Sequence, residues 1–183
     1  MTSIPRMDKS QKLELLRNAI QSYPDFPKPG VEFRDIFGAF RDVVALRAMK
    51  DLIVEHVLFL EIDLVVGLDS RGFLFGPMIS LELGKPFIPI RKKGKLPGKV
   101  IEKDYSLEYS EETIAIQVES IPKGARVLIV DDLLATGGTM NAAIELLESL
   151  GANVVECLVI IELNRLKGKE KLNVPVHSFI QYE

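Results

Sequence analysis

The sequence predicts an α/β fold with a central, mostly parallel sheet flanked by helices, and three observations carry that prediction. Short unbroken apolar runs, DLVVGL at 63–68, ARVLIV at 125–130 and NVVECLVII at 153–161, have the length and β-branched content of strands buried on both faces. Segments with helical spacing of apolar residues stand among them. The two kinds of segment alternate, as in parallel sheets whose strands are joined by helices.

Residues 9–22 read as an amphipathic helix, with Leu13, Leu16 and Ile20 on one face and Pro24 beyond its end. The turn-rich YPDFPKPG follows. A second helix is expected over about 42–60, where Leu46, Met49, Ile53, Val57 and Leu60 form a stripe bordered by His56, which reads as structural. Then come DLVVGL as strand, Gly72 to Leu83 as helix, PFIPI and ARVLIV as strands, Gly137 to Leu150 as helix and NVVECLVII as strand, with His177 in a strand-like segment near the end. Residues 91–124, polar at first and then weakly alternating, read as an excursion that leaves the sheet, because a loop of that length is usually functional or disordered.

A chain of 183 residues with 47% hydrophobic content can bury a proper core as one domain. No apolar run approaches a membrane helix and the first residues lack a secretory apolar core, so the expected location is the cytoplasm, with no membrane partner. The net charge of −3 argues against an extended nucleic-acid surface. The single cysteine, Cys157, lies in an apolar run and reads as a small buried hydrophobe.

The chemistry concentrates in VLIVDDLLATGGT, Val127 to Thr139. A helix starting just after a strand offers unpaired N–H groups and the positive end of its dipole to an anion. Gly137 and Gly138 let main chain approach that anion, and Thr136 and Thr139 add hydroxyl donors. The nucleoside-triphosphate loop is excluded, since no lysine follows the glycines, and GxGxxG does not occur here. Asp131 and Asp132, acceptors only, suit vicinal sugar hydroxyls or water on magnesium. A ligand carrying both a phosphate and a diol accounts for the whole run. Either half alone would merely mark a strand end and a helix cap.

This run resembles the thirteen-residue signature of the type I phosphoribosyltransferase family. The resemblance implies that the acids hold the ribose hydroxyls of phosphoribosyl pyrophosphate, that Ala135, Thr136, Gly137, Gly138 and Thr139 hold its 5′-phosphate, and that magnesium is required, held mainly by substrate and water. It also implies the family's fold, with an N-terminal hood over about 1–40 and a flexible catalytic loop over about 94–117.

Four further stretches, DFPKPGVEFRDI, GLDSRGFLFGP, RKKGKLPG and YSLEY, resemble the adenine-using branch in particular and stand in its order, as does the ending ELNRLKGKEKL. On its own, GLDSRGF ends an apolar strand with Asp69, Ser70 and Arg71 ahead of a helix, offering backbone donors and a guanidinium to a doubly charged group. By resemblance it is the pyrophosphate loop, with a non-proline cis peptide placed at Asp69–Ser70. The run Arg91, Lys92, Lys93, Lys95 and Lys99 alone would be a solvated or weakly anion-binding patch. Resemblance assigns pyrophosphate to Arg91, Lys92 and Lys95 and implies a homodimer in which some of this charge serves the neighbouring subunit's site.

Phe33 could stack on a flat base, although a lone phenylalanine is more often core. Resemblance puts Phe33 on one face of adenine and Leu133 on the other, with Arg71 and the backbone of Glu32 reading the ring edge. Relatives are commonly apolar at Glu32, so the direction of its side chain bears on base preference. Glu108 and Tyr109, a solvated charge and an aromatic when read alone, become by resemblance catalytic residues of a closing loop, with Arg71 as the third. The rivals are phosphoribosyltransferases for hypoxanthine and guanine, orotate or xanthine, which the VEFRD and DSRGF contexts oppose. A non-catalytic regulator on the same fold is opposed by the absence of a helix-turn-helix segment.

Overall fold

A computed structural model of the chain describes residues 7–106 and 111–183, so Glu108 and Tyr109 lie outside the described residues. Two compact units emerge, Met1–Phe59 and Leu60–Glu183.

In the first unit, helix α1 (Lys9–Ala19) starts on a reciprocal cap: Gln11 N–H donates to Asp8 Oδ1 at 2.9 Å and Asp8 N–H donates to Gln11 Oε1 at 3.0 Å. It stops three residues short of the expected 22. Ile20 is already extended, and strand β1 (Gln21–Pro24) pairs antiparallel with β2 (Glu32–Asp35). Proline favours an extended residue before it, so the pull toward strand reaches back past Tyr23 into what the spacing reads as helix. The expected second helix forms from Asp42 as its cap, and a short helix that the spacing does not announce stands before it. Helix α2 (Phe37–Arg41) precedes Asp42, and α3 (Val43–Val57) follows, with Val44 N–H donating to Asp42 Oδ1 at 2.8 Å. Its buried face is Ala45, Ala48, Met49, Leu52, Ile53 and Val57, which keeps Met49, Ile53 and Val57 of the predicted stripe and adds small alanines and Leu52 in place of Leu46 and Leu60. Helix α1 packs on α3, and the mostly buried Lys12 ammonium is paired with Glu55.

The second unit holds a seven-stranded sheet of β3 (Leu64–Leu68), β4 (Phe87–Lys92), β5 (Val100–Ser106), β6 (Glu111–Gln117), β7 (Arg126–Leu134), β8 (Asn153–Leu163) and β9 (Val176–Tyr182), in the order β5-β6-β4-β3-β7-β8-β9. Strands β4, β3, β7, β8 and β9 run parallel, and β5 and β6 are antiparallel additions. Helix α4 (Gly72–Leu83) packs on β3 and β7, and α5 (Gly138–Ser149) on β5 and β8. Leu64, Val66, Val127 and Ile129 join Met140, Ala143, Ile144 and Leu147 of α5 in one buried cluster. Their neighbours Val65, Leu128 and Val130 are also fully buried and, by the two-residue period of strands, face the opposite side. Sandwiching of this kind explains why β3 and β7 read as continuous apolar runs.

Residues 91–124 correct the sequence reading. Instead of leaving the sheet, the described residues of this stretch extend it, with β6 pairing both β5 and β4. The weak alternation was itself a strand signal: Ile114 and Ile116 are buried, and Ile101 and Tyr105 pack against the core cluster. Among the described residues no helix is long and apolar enough to cross a membrane.

Candidate active site

The site arises from a mismatch in strand length. The register of β3 against β7 ends at Gly67 and Val130, whereas β7 stays paired with β8 as far as Leu134 and Glu162. From Asp131 onward, β7 therefore has an open flank where β3 has turned away. The departing chain is Asp69–Ser70–Arg71, and its Asp69–Ser70 peptide is cis, where the resemblance put it. Gly72 opens α4 against the end of β7, close enough that a Cβ there would lie 2.5 Å from the Val130 carbonyl oxygen. Only glycine permits that approach, and it delivers Arg71 to the acids. Arg71 Nε stands 2.6 Å from Asp132 Oδ2.

Asp132 is 4% exposed, and its N–H donates to Asp131 Oδ1 at 2.9 Å. Burial raises the pKa of both carboxyls. For Asp131 the adjacent Asp132 charge adds to that rise, whereas for Asp132 the Arg71 guanidinium works against it. Two acids in a partly desolvated cleft share one guanidinium, a charge arrangement that favours an incoming group able to donate hydrogen bonds.

Beyond the acids the chain turns through Ala135, Thr136 and Gly137 into α5. Gly137 caps the helix in the left-handed region at φ 81°, and its carbonyl accepts from Asn141 N–H at 2.9 Å. The first N–H groups of α5 have no partner within the helix. Arg71 and residues 131–140 line a cavity of about 210 Å³. That is smaller than the roughly 300–1,000 Å³ typical of sites enclosing a drug-sized ligand, so it suits part of a larger one, such as a sugar phosphate. Thr139 Oγ1 donates to Tyr105 Oη at 3.3 Å, and Lys103 Nζ meets Glu145 at 2.6 Å, linking α5 to β5.

The basic run is largely engaged with acids. Arg91 Nε contacts Asp69 Oδ2 at 2.9 Å, Lys92 contacts Glu112 at 3.1 Å and Lys93 contacts Glu102 at 2.7 Å. Hydrogen bonding to those carboxylates raises the pKa of both lysines. Among the described residues, Lys95 and Lys99 carry no ion pair.

Comparison with known proteins speaks directly to this arrangement. Residues 44–181 match the family model described as the phosphoribosyl transferase domain. The human adenine phosphoribosyltransferase is 51% identical over 176 residues, covering 94% of this chain and 98% of the human protein. The chain belongs to the adenine phosphoribosyltransferase family. The relative from Drosophila pseudoobscura pseudoobscura is 47% identical over 97% of this chain and 99% of its own. Among solved structures, the adenine phosphoribosyltransferase from Saccharomyces cerevisiae, complexed with an imino-altritol bisphosphate and adenine, superposes with a TM-score of 0.87 at 42% identity, covering 93% of this chain and 99% of that one. The Giardia lamblia enzyme complexed with 9-deazaadenine gives 0.88 at 35% identity, covering 97% and 99%.

Against that family background, the cavity gathers Arg71, Asp131, Asp132, Leu133, Ala135, Thr136, Gly137, Gly138 and Thr139 in one place. Asp69 and Arg91 form a second pair beside the cis peptide. Lys92, expected at pyrophosphate, is ion-paired with Glu112. Glu32 and Phe33 belong to the first unit, where the Glu32 carboxylate meets Arg34 at 3.0 Å with 54% of its side chain exposed, and half-buried Phe33 sits edge-on to Phe26 at 5.1 Å. Sequence reasoning does not reveal the Arg71–Asp132 contact or the Thr139–Tyr105 hydrogen bond. The first joins residues far apart in the chain. The second depends on Tyr105 facing inward in an alternating segment whose polar start reads as loop.

Proposed function

We propose that the chain transfers 5-phosphoribose from phosphoribosyl pyrophosphate to N9 of adenine, giving AMP and pyrophosphate in purine salvage. The observation that carries this reading is the single cavity in which paired carboxylates adjoin the glycine-capped start of a helix, with a guanidinium beside them. The 5′-phosphate takes the main-chain N–H groups and threonine hydroxyls of 135–139, and the ribose hydroxyls donate to Asp131 and Asp132. When the diol occupies the acids, Asp132 no longer needs Arg71, whose charge is released toward the departing pyrophosphate beside Asp69, Ser70 and Arg91.

In the reaction the bond from C1′ to the pyrophosphate oxygen breaks, its electron pair leaving with pyrophosphate, as N9 of adenine forms the new bond to C1′. Positive charge grows on the sugar, and the two carboxylates lie next to it. The proton lost by the purine goes to Glu108, with Tyr109 helping the loop exclude water. Phe33 stacks on adenine and Leu133 contacts its other face, while Arg71 and the Glu32 backbone read the ring edge. The engagement of the Glu32 carboxylate by Arg34 supports a backbone role for Glu32.

Magnesium fits this chain as an ion that arrives with the donor. It prefers water, one or two carboxylates and substrate phosphate oxygens, and Asp131 offers such a carboxylate at the cavity wall. When bound, it supplies charge neutralisation for the leaving pyrophosphate. We place the protein in the cytoplasm and infer a homodimer, with Lys95 and Lys99, which carry no ion pair among the described residues, suited to reach a neighbouring site; Arg91, Lys92 and Lys93 are held by acids of their own subunit. The decisive experiment is formation of radiolabelled AMP from adenine with and without magnesium, in competition with guanine and hypoxanthine. Guanine or hypoxanthine displacing adenine at equal concentration would overturn the base assignment.

A further inference from the structure

Between β8 and β9 the chain forms a strap of two short 3-10 turns, Asn164–Leu166 and Gly168–Lys171, hinged on Lys167 in the left-handed region at φ 54°. Gly168 is buried, and its main chain rests on the phosphate loop. A Cβ at Gly168 would lie 2.2 Å from the Ala135 carbonyl oxygen and 2.9 Å from the Gly137 nitrogen. The approach is reciprocal, since a Cβ at Gly137 would lie 2.6 Å from the Gly168 carbonyl oxygen. Two main chains in direct contact, with no side chain between them, pass displacement from one to the other, because packed interiors contain little slack. Nor is the strap free to yield. It leaves β8 after Leu163; the adjacent Glu162 pairs in register with Leu134, and its carboxylate accepts from the Ser178 hydroxyl of β9 at 2.5 Å.

We propose that Gly168 is a positioning residue for phosphoribosyl transfer: strap main chain sets the height of the Ala135–Gly137 loop and thereby its fit to the donor's 5′-phosphate. The proposal rests on the function argued above. Gly168 is not in the left-handed region, so Gly168→Ala introduces no backbone penalty of its own and acts through displacement alone. To restore an ordinary contact the Ala135 carbonyl must retreat by about 1 Å, a misplacement large enough to cost up to roughly a hundredfold in a positioned reaction.

The test is steady-state AMP formation by the full chain with each substrate varied in turn. Gly168→Ala should raise the KM for phosphoribosyl pyrophosphate by about tenfold or more while the KM for adenine stays within about twofold, a split that general loosening of the fold would not produce. Lys167→Ala removes a side chain that is 70% exposed and should leave both constants unchanged. An equal rise in Lys167→Ala would mean that the strap acts through charge, and unchanged constants in Gly168→Ala would mean that it does not act; either result overturns the proposal. Should Gly168→Ala not fold, the wild-type chain still decides. Saturating ribose 5-phosphate should slow amide hydrogen exchange in peptides spanning 164–172, and unaltered exchange there overturns the proposal. Wild-type protein that makes no AMP sinks the parent reading, whereas active wild type with a normal Gly168→Ala sinks this one alone.

Discussion

Arg71→Ala removes the guanidinium from a carboxylate that is 4% exposed and 2.6 Å away, and its cost can be worked from that geometry. Stranding one charge of a fully buried pair costs about 3–5 kcal/mol, whereas exposed pairs are worth about 1 kcal/mol or less. Arg71 is 36% exposed, so solvent already screens the pair and can enter the space left behind. An intermediate loss of about 2 kcal/mol follows, equivalent to about 4–8 °C in Tm for a chain of this size. The pH dependence has a definite sign. Burial already raises the Asp132 pKa and Arg71 opposes the rise, so the variant's folded-state pKa moves further up. A raised carboxyl pKa favours folding of the protonated form, so the deficit is small near the ordinary carboxylate range and grows as pH increases through the folded-state value. Urea denaturation of wild type, Arg71→Ala, Asp132→Asn and the double variant at pH 5 and pH 8 measures this. The double variant should recover most of the stability lost by Arg71→Ala at pH 8, because no charge is then left stranded. Equal losses in single and double variants, or a deficit independent of pH, would refute the coupling.

Asp131→Asn should raise Tm at pH 8, since an ionised Asp131 is disfavoured by burial and by Asp132, and the gain should fade as pH falls through the raised pKa. The same variant should lose about tenfold or more in kcat/KM for phosphoribosyl pyrophosphate, the worth of one charge-assisted hydrogen bond, as steady-state rates will report. Phe33→Ala should raise the KM for adenine by about tenfold, the scale of one base–aromatic stack, with the donor KM unchanged. Glu108→Gln should lower kcat by about a hundredfold with little change in either KM, and an unaltered kcat removes its proton-transfer role. Cys157 is buried, which pushes its thiol pKa up, so a chromogenic disulfide reagent at pH 8 should titrate it only after denaturant is added.

Much of the second unit was legible because its signals are local. Helix α4 spans the expected Gly72 to Leu83, and the strands β3, β4, β7 and β8 follow their apolar runs. The loop from Ala135 to Thr139 was legible for the same reason, since strand, acids, glycines and helix are contiguous in sequence. What escaped depends on partners. Gln21–Pro24 becomes a strand only because Glu32–Asp35 is there to pair with it, and Val100–Ser106 only because Glu111–Gln117 returns beside it. The Arg71–Asp132 contact needs the close packing at Gly72, a feature that no spacing in the chain announces.

These gaps bear on how the site works. The charge run at 91–99 looks in sequence like free positive potential, yet three of its members neutralise acids of their own fold. Arg71 and Arg91 each sit on a carboxylate, Asp132 and Asp69, placed where ligand groups are expected. A pocket that must accept a highly charged donor would be costly to hold open with bare charges, because isolated buried charges are strongly disfavoured. Internal ion pairs lower that cost in the empty site, and in the proposed binding mode the donor exchanges them: its hydroxyls would replace a guanidinium on Asp132, and its pyrophosphate would replace a carboxylate on each arginine. Binding then redistributes charge already present, so affinity depends on the difference between two sets of hydrogen bonds. In the proposed binding mode the 5′-phosphate takes main-chain N–H groups at the start of α5 that no side-chain ion pair among the described residues occupies, so the geometry of the Ala135–Gly137 loop is the feature of the site that proposal makes most sensitive to displacement.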